Sequence, residues 1–186
     1  MAEGQAGAWT RTSRVIRARP EELYAAFLDP AALIDWLPPA EMTGEIHEFD
    51  ARVGGGYRMS LFYAPNECSF RGKTSDREDM VNVRFVELTP SHRIVEAVSF
   101  VTTDPVFFGE MTMMATFAEV SGGTEVTLVF ENLPPGLRAE DNEAGSRLSS
   151  GAAGPPFRMT RWRLRLASAQ ATRAPQAFRR TAMAGG

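Results

Sequence analysis

The chain has 186 residues, of which 44% are apolar and 23% charged, with a net charge of −3. These are the proportions of a soluble globular domain, and they exclude a mostly disordered chain, a collagen-like chain and a coiled-coil rod. No apolar run approaches the roughly 18 residues of a membrane-spanning helix, so no membrane span is expected. The start, Met1-Ala2-Glu3-Gly4-Gln5, lacks the basic patch and apolar run of a secretory leader. Cys68 is the single cysteine. A disulfide within the chain is therefore ruled out, a cysteine-based zinc site is not expected, and a cytoplasmic location is.

Charge is unevenly spread. Residues 1–147 carry 13 Lys and Arg against 23 Asp and Glu, whereas 148–186 carry seven Arg and no acid. The break divides the chain into a frayed lead-in (1–10), an acidic, well-patterned domain (11–150) and a basic, atypical tail (151–186).

Thr10 to Arg17 reads as a strand centred on Val15 and Ile16. Arg19-Pro20-Glu21-Glu22 opens a helix, because Pro suits a first turn and acids suit the positive end of the helix dipole. Leu23, Tyr24, Phe27 and Leu28 form its apolar stripe. Asp29-Pro30 ends that helix and starts another, Ala31 to Leu37, which Pro38-Pro39 stops.

After residue 40 the period changes to two. Tyr57, Met59, Leu61 and Tyr63 alternate with Arg58, Ser60 and Phe62, a strand with one apolar face. Val81, Val83 and Phe85 form a second such run, and Ile94, Val98 and Phe100 a third with Glu96 on the same parity. Met111, Met113, Ala115 and Phe117 form a fourth, and Val126, Leu128 and Phe130 a fifth. Turn signals separate the runs, among them Gly54-Gly55-Gly56, Thr89-Pro90-Ser91 and Ser121-Gly122-Gly123. The order is one strand, two short helices and about six strands with short connections. It predicts an α+β fold with helices against one face of a curved antiparallel sheet.

This order, with these words in it, resembles the helix-grip (START-like, SRPBCC) superfamily. Within it the chain is similar to the branch named after the activator of the 90-kDa heat-shock protein's ATPase. The resemblance is carried by Pro20-Glu21-Glu22-Leu23-Tyr24, Asp29-Pro30-Ala31-Ala32-Leu33 running to Trp36-Leu37-Pro38-Pro39, and Gly54-Gly55-Gly56-Tyr57-Arg58-Met59. It continues through Gly123-Thr124-Glu125-Val126-Thr127-Leu128 and Glu131-Asn132-Leu133-Pro134-Pro135-Gly136 to Ala144-Gly145-Ser146-Arg147. It implies a long C-terminal helix gripped by the sheet over an apolar cavity. Three functions follow from it: non-catalytic binding of a small hydrophobic ligand, regulation of a chaperone ATPase, and catalysis of the polyketide-cyclase type. Binding without catalysis is the expected function, with no cofactor.

The tail departs from the resemblance. Where an amphipathic helix should continue, the chain reads Leu148-Ser149-Ser150-Gly151-Ala152-Ala153-Gly154-Pro155-Pro156, poor material for a helix interior. One reading is a continuation replaced by a reading-frame shift near codon 148. The other is a diverged tail that supplies a helix over 157–170, with Met159, Trp162, Leu166 and Ala169 on one face. The seven arginines with Phe157 and Trp162 among them predict non-specific stickiness and no specific nucleic-acid partner.

Candidate chemistry is sparse. His47 and His92 are the only histidines, without the spacing of a zinc site. His47-Glu48 is either a base with its orienter or an exposed strand pair. A strand follows Gly54-Gly55-Gly56, so a hairpin turn is expected there and not a phosphate loop. Cys68 reads as an incidental thiol. The alternation assigns the cavity lining to Tyr57, Met59, Leu61, Tyr63, Phe85, Phe100, Met111, Met113 and Phe117, capped by Trp36. Glu96 is either an inward carboxyl able to orient a ligand or a bulge or edge residue in water. Arg58 and Arg84 should face solvent. Val106-Phe107-Phe108-Gly109 is either a lid over the cavity mouth or the start of the next strand.

Overall fold

The structure is a computed structural model that describes residues 7–39, 42–64 and 72–149. Its elements are β1 (Thr10–Ile16), α1 (Pro20–Phe27), α2 (Pro30–Trp36), β2 (Thr43–Phe49), β3 (Gly56–Phe62), β4 (Glu78–Thr89), β5 (Arg93–Phe100), β6 (Met111–Val120), β7 (Gly123–Glu131) and α3 (Ala139–Ser149). Among the described residues no helix is long and apolar enough to cross a membrane.

The seven strands form one sheet in the order β1-β7-β6-β5-β4-β3-β2, and every neighbouring pair is antiparallel. Consecutive strands from β2 to β7 are spatial neighbours, as short connections require. Only β1 crosses, closing the far edge against β7. The sheet is curved and carries its helices on one face, the α+β arrangement expected from the strand and helix order and the helix-grip fold that the resemblance implies.

Local chemistry sets the helices. Glu22 accepts a hydrogen bond from the Arg19 N–H at 2.9 Å, closing the start of α1. The Asp29 carboxylate accepts from the Ala31 N–H at 2.9 Å and caps α2. Both helices pack on the inner face of the sheet. Phe27 meets Phe117 edge-on at 5.3 Å and the Trp36 ring at 4.5 Å. Leu33, Met59, Phe85, Ile94 and Ala115 are fully enclosed and mark the centre of the core. Helix α3 contains the Ala144-Gly145-Ser146-Arg147 segment of the resemblance. It lies beside β1, where the Thr10 hydroxyl donates to the Asn142 side-chain oxygen at 2.5 Å. Both readings of the tail after residue 150 fall outside the described residues.

Strand β2 is not among the runs picked out by alternation. A bulge between Ile46 and Glu48 breaks its period, and as an edge strand it has a partner on one side only.

The Gly54-Gly55-Gly56 segment is the predicted turn. Gly54 takes a φ of +82°, which a side chain disfavours. A Cβ on Gly56 would run into the Val83 carbonyl. Gly56→Ala is therefore expected to force β3 away from β4 and to cost about 1–3 kcal/mol. Urea unfolding checks this, and an unchanged midpoint would contradict the close strand contact.

Candidate functional site

The inner face of the sheet collects most of the alternation-derived residues. Tyr57, Met59, Phe85, Met111, Met113 and Phe117 are all buried there. Leu61 and Phe100 are half-buried, packed against the same core. Tyr63 lies just past the end of β3. Trp36 sits in the helix pair, where its indole N–H donates to the Ala26 carbonyl at 3.2 Å. Arg58 and Arg84 project from the opposite face, with side chains 45% and 52% exposed.

Glu96 lies in the middle of this apolar face and not in water. It stands in register between Phe85 on β4 and Met113 on β6 and is 2% exposed. A bulge does occur beside it, between Phe85 and Glu87. It falls in β4, so the β5 parity is unbroken and the carboxyl stays inward. Its Oε2 accepts a long hydrogen bond, 3.4 Å, from the Tyr57 hydroxyl. Its Oε1 is buried with no partner. Burial pushes the Glu96 carboxyl up to about 8, against a smaller downward pull from the Tyr57 hydrogen bond. Burial, reinforced by the neighbouring Glu96, also raises the Tyr57 phenol well above its ordinary value.

A second polar cluster closes one end of the face. Asp79 shares the inward parity of Val81 and Val83 and is 5% exposed. It accepts hydrogen bonds from the Lys73 N–H and Nζ, each at 2.5 Å, and from the Tyr63 hydroxyl at 3.0 Å. Burial and the Asp79 charge together raise the Tyr63 phenol. The Lys73 ammonium lies 5.3 Å from the centre of the Phe100 ring. The sequence reading missed Asp79 and Lys73. Parity along β4 marks Asp79 as inward, but Lys73 lies before the strand, and only the fold brings it there.

The loop after β5 forms a 3-10 turn, Pro105–Phe107, separate from β6. Phe107 packs on Phe100 at 6.0 Å, and the Gly136 N–H donates to the Val106 carbonyl at 2.7 Å. Val106 and Phe108 remain exposed. The loop thus rests over the Asp79 end of the inner face and is tied to the segment after β7.

The histidines stand apart from this face. His47 pairs through Nε2 with the Ser60 hydroxyl at 2.8 Å, and its Nδ1 lies 3.6 Å from Glu45. It does not pair with Glu48, which lies 3.9 Å from Arg58, so the base-and-orienter pairing of His47 with Glu48 is not formed. Ser60 donates to Glu78 at 2.6 Å and is fully buried, which leaves no activated nucleophile. His92 bonds the Pro90 carbonyl at 2.9 Å in an exposed turn. Among the described residues no cluster of three or more His, Cys, Asp or Glu is arranged to hold a metal ion. Cys68 lies outside the described residues.

Comparison with known proteins agrees with this architecture. The family described as "Activator of Hsp90 ATPase homolog 1-like protein" matches residues 17–149. A solved structure from Chromobacterium violaceum is 32% identical with a TM-score of 0.65, over 76% of this chain and 91% of that one. A Rhizobium loti protein is 22% identical with a TM-score of 0.58, over 78% and 93% of the two chains. A Rhodobacter sphaeroides protein is 21% identical with a TM-score of 0.54, over 92% and 100%. No curated protein matches the sequence. The chain belongs to the Activator of Hsp90 ATPase homolog 1-like family.

Proposed function

We propose that the protein binds a small apolar molecule against the inner face of its sheet, without converting it. The observation that carries this reading is Glu96, 2% exposed, with an unpartnered oxygen among apolar side chains. Burying a polar oxygen without a partner costs about 1–3 kcal/mol. An apolar residue would fill the place at no such cost, so the carboxyl is best accounted for by something that meets it. Methionines at 59, 111 and 113 support the reading, because Met adapts to varied apolar shapes. A cytoplasmic location goes with it, supported by the single cysteine.

Native mass spectrometry of the full chain, purified from its host without detergent, tests the proposal. A retained small mass that organic solvent extracts is the expected result. A chain that arrives bare, and that takes up no apolar probe when offered, contradicts it.

A cyclase-like enzyme is the second reading, favoured by the position of the Glu96 carboxyl between acid and base at neutral pH. It requires turnover of a polyketide that Glu96→Gln abolishes. Regulation of a chaperone ATPase rests on the family name, and stimulated ATP turnover by the host chaperone tests it.

A further inference from the structure

We infer that the molecule bound on the inner face is uncharged and carries a carbonyl-type acceptor, which receives a hydrogen bond from Glu96 Oε1 while Tyr57 holds Oε2. This rests on the reading that the inner face takes a small apolar molecule.

The argument starts from what surrounds Glu96. Phe85 and Met113 flank it on β4 and β6, and Tyr57 reaches it from β3. None of these offers a positive charge. Among the described residues, Arg14 shares the inner face at the β1 edge, opposite the buried Val126 and three strands away from Glu96, and the cation set against β5 itself is Lys73. It is committed to Asp79 and sits over Phe100, two inward positions along β5 from Glu96. Arg58 and Arg84 point the other way, toward Glu48 and Glu110. An ionised carboxylate here would be buried with one long hydrogen bond and no counter-charge, the costliest of the available states. The neutral acid avoids that cost, and the upward push on its ionisation, to about 8, agrees.

The position of the proton follows from the hydrogen bonds. Tyr57 donates to Oε2, which makes Oε2 the accepting oxygen. The acid proton then belongs on Oε1, the oxygen that lacks a partner. That O–H needs an acceptor. A ketone, ester or similar carbonyl supplies one and brings no donor of its own. A hydroxyl ligand would accept but would bury a second unsatisfied O–H. An ammonium would require the carboxylate form, and a ligand carboxylate would add a second unpaired charge to the same apolar face.

Three naphthalenes with the same substitution position separate these cases: acetylnaphthalene, isopropenylnaphthalene and protonated naphthylethylamine. The first two have nearly one shape and differ by a carbonyl against a carbon–carbon double bond. Titration calorimetry of the full chain near neutral pH should find the ketone bound about tenfold tighter than the alkene, with the amine weakest. Glu96→Leu should erase the preference while keeping alkene binding. Glu96→Gln, whose amide N–H still donates, should keep part of it.

Equal binding of ketone and alkene by the wild type would overturn the inference and leave the apolar site standing, and that comparison needs no variant. Tightest binding of the amine, or a ketone preference that survives in Glu96→Leu, would also overturn it. Failure of all three probes to bind would bring down the apolar-site reading and the inference with it.

Discussion

Between about pH 5 and about pH 9 the wild-type chain should lose on the order of 4 kcal/mol of stability relative to its Glu96→Gln variant, because the buried carboxyl ionises near 8 when folded and near 4.5 when unfolded. In that window the folded chain holds one proton that the unfolded chain has released. Each rise in pH therefore favours unfolding. The advantage is complete below about 4.5 and is lost as the pH passes through about 8. Gln has the same shape and does not titrate, so other groups cancel when the two chains are compared at each pH. Urea unfolding followed by circular dichroism at both pH values gives the difference of differences. Parallel pH profiles, or a wild type that gains on the Glu96→Gln variant as pH rises, would place Glu96 in water.

The second large effect lies beside it. Phe85→Ala should cost about 3–5 kcal/mol. Phe85 is fully buried, with its ring 5.9 Å from Tyr57 and 6.3 Å from Phe49. The substitution empties the centre of the sheet's inner face, and the neighbours are strand-held and relax little. A domain has only about 5–15 kcal/mol in hand, so the variant should unfold at much lower urea. Phe100→Ala, at the half-buried end of the same face, should cost less. A Phe85→Ala cost below about 1.5 kcal/mol would mean that the inner face collapses readily, and the packing described above would be wrong.

Much of the fold was legible because one face of each strand is buried and the other is not. Met111, Met113, Ala115 and Phe117 repeat at a period of two, and β6 follows them without a break. Arg19-Pro20-Glu21-Glu22 and Asp29-Pro30 announce their helices through capping chemistry that acts within a few residues. Strand β2 escaped because its bulge at residue 47 shifts the parity midway.

The site was legible by half. Parity alone left Glu96 either inward or in water. The structure decides, because the nearby bulge belongs to β4. Its hydrogen bond to Tyr57 spans 39 residues of sequence and depends on the pairing of β3, β4 and β5. The Asp79–Lys73 pair and the His47–Ser60–Glu78 chain are likewise consequences of register. No local pattern encodes them.

The central claim is that an apolar molecule settles on the inner face. Methyl-labelled methionines test it most directly, because the face distinguishes them. Met59, Met111 and Met113 point inward, whereas Met80 and Met114 occupy the opposite parity on β4 and β6. Titrating acetylnaphthalene into the full chain should shift the methyl resonances of the first three and leave Met80 and Met114 in place. Shifts confined to Met80 and Met114, or no shifts at saturating probe, would contradict the claim.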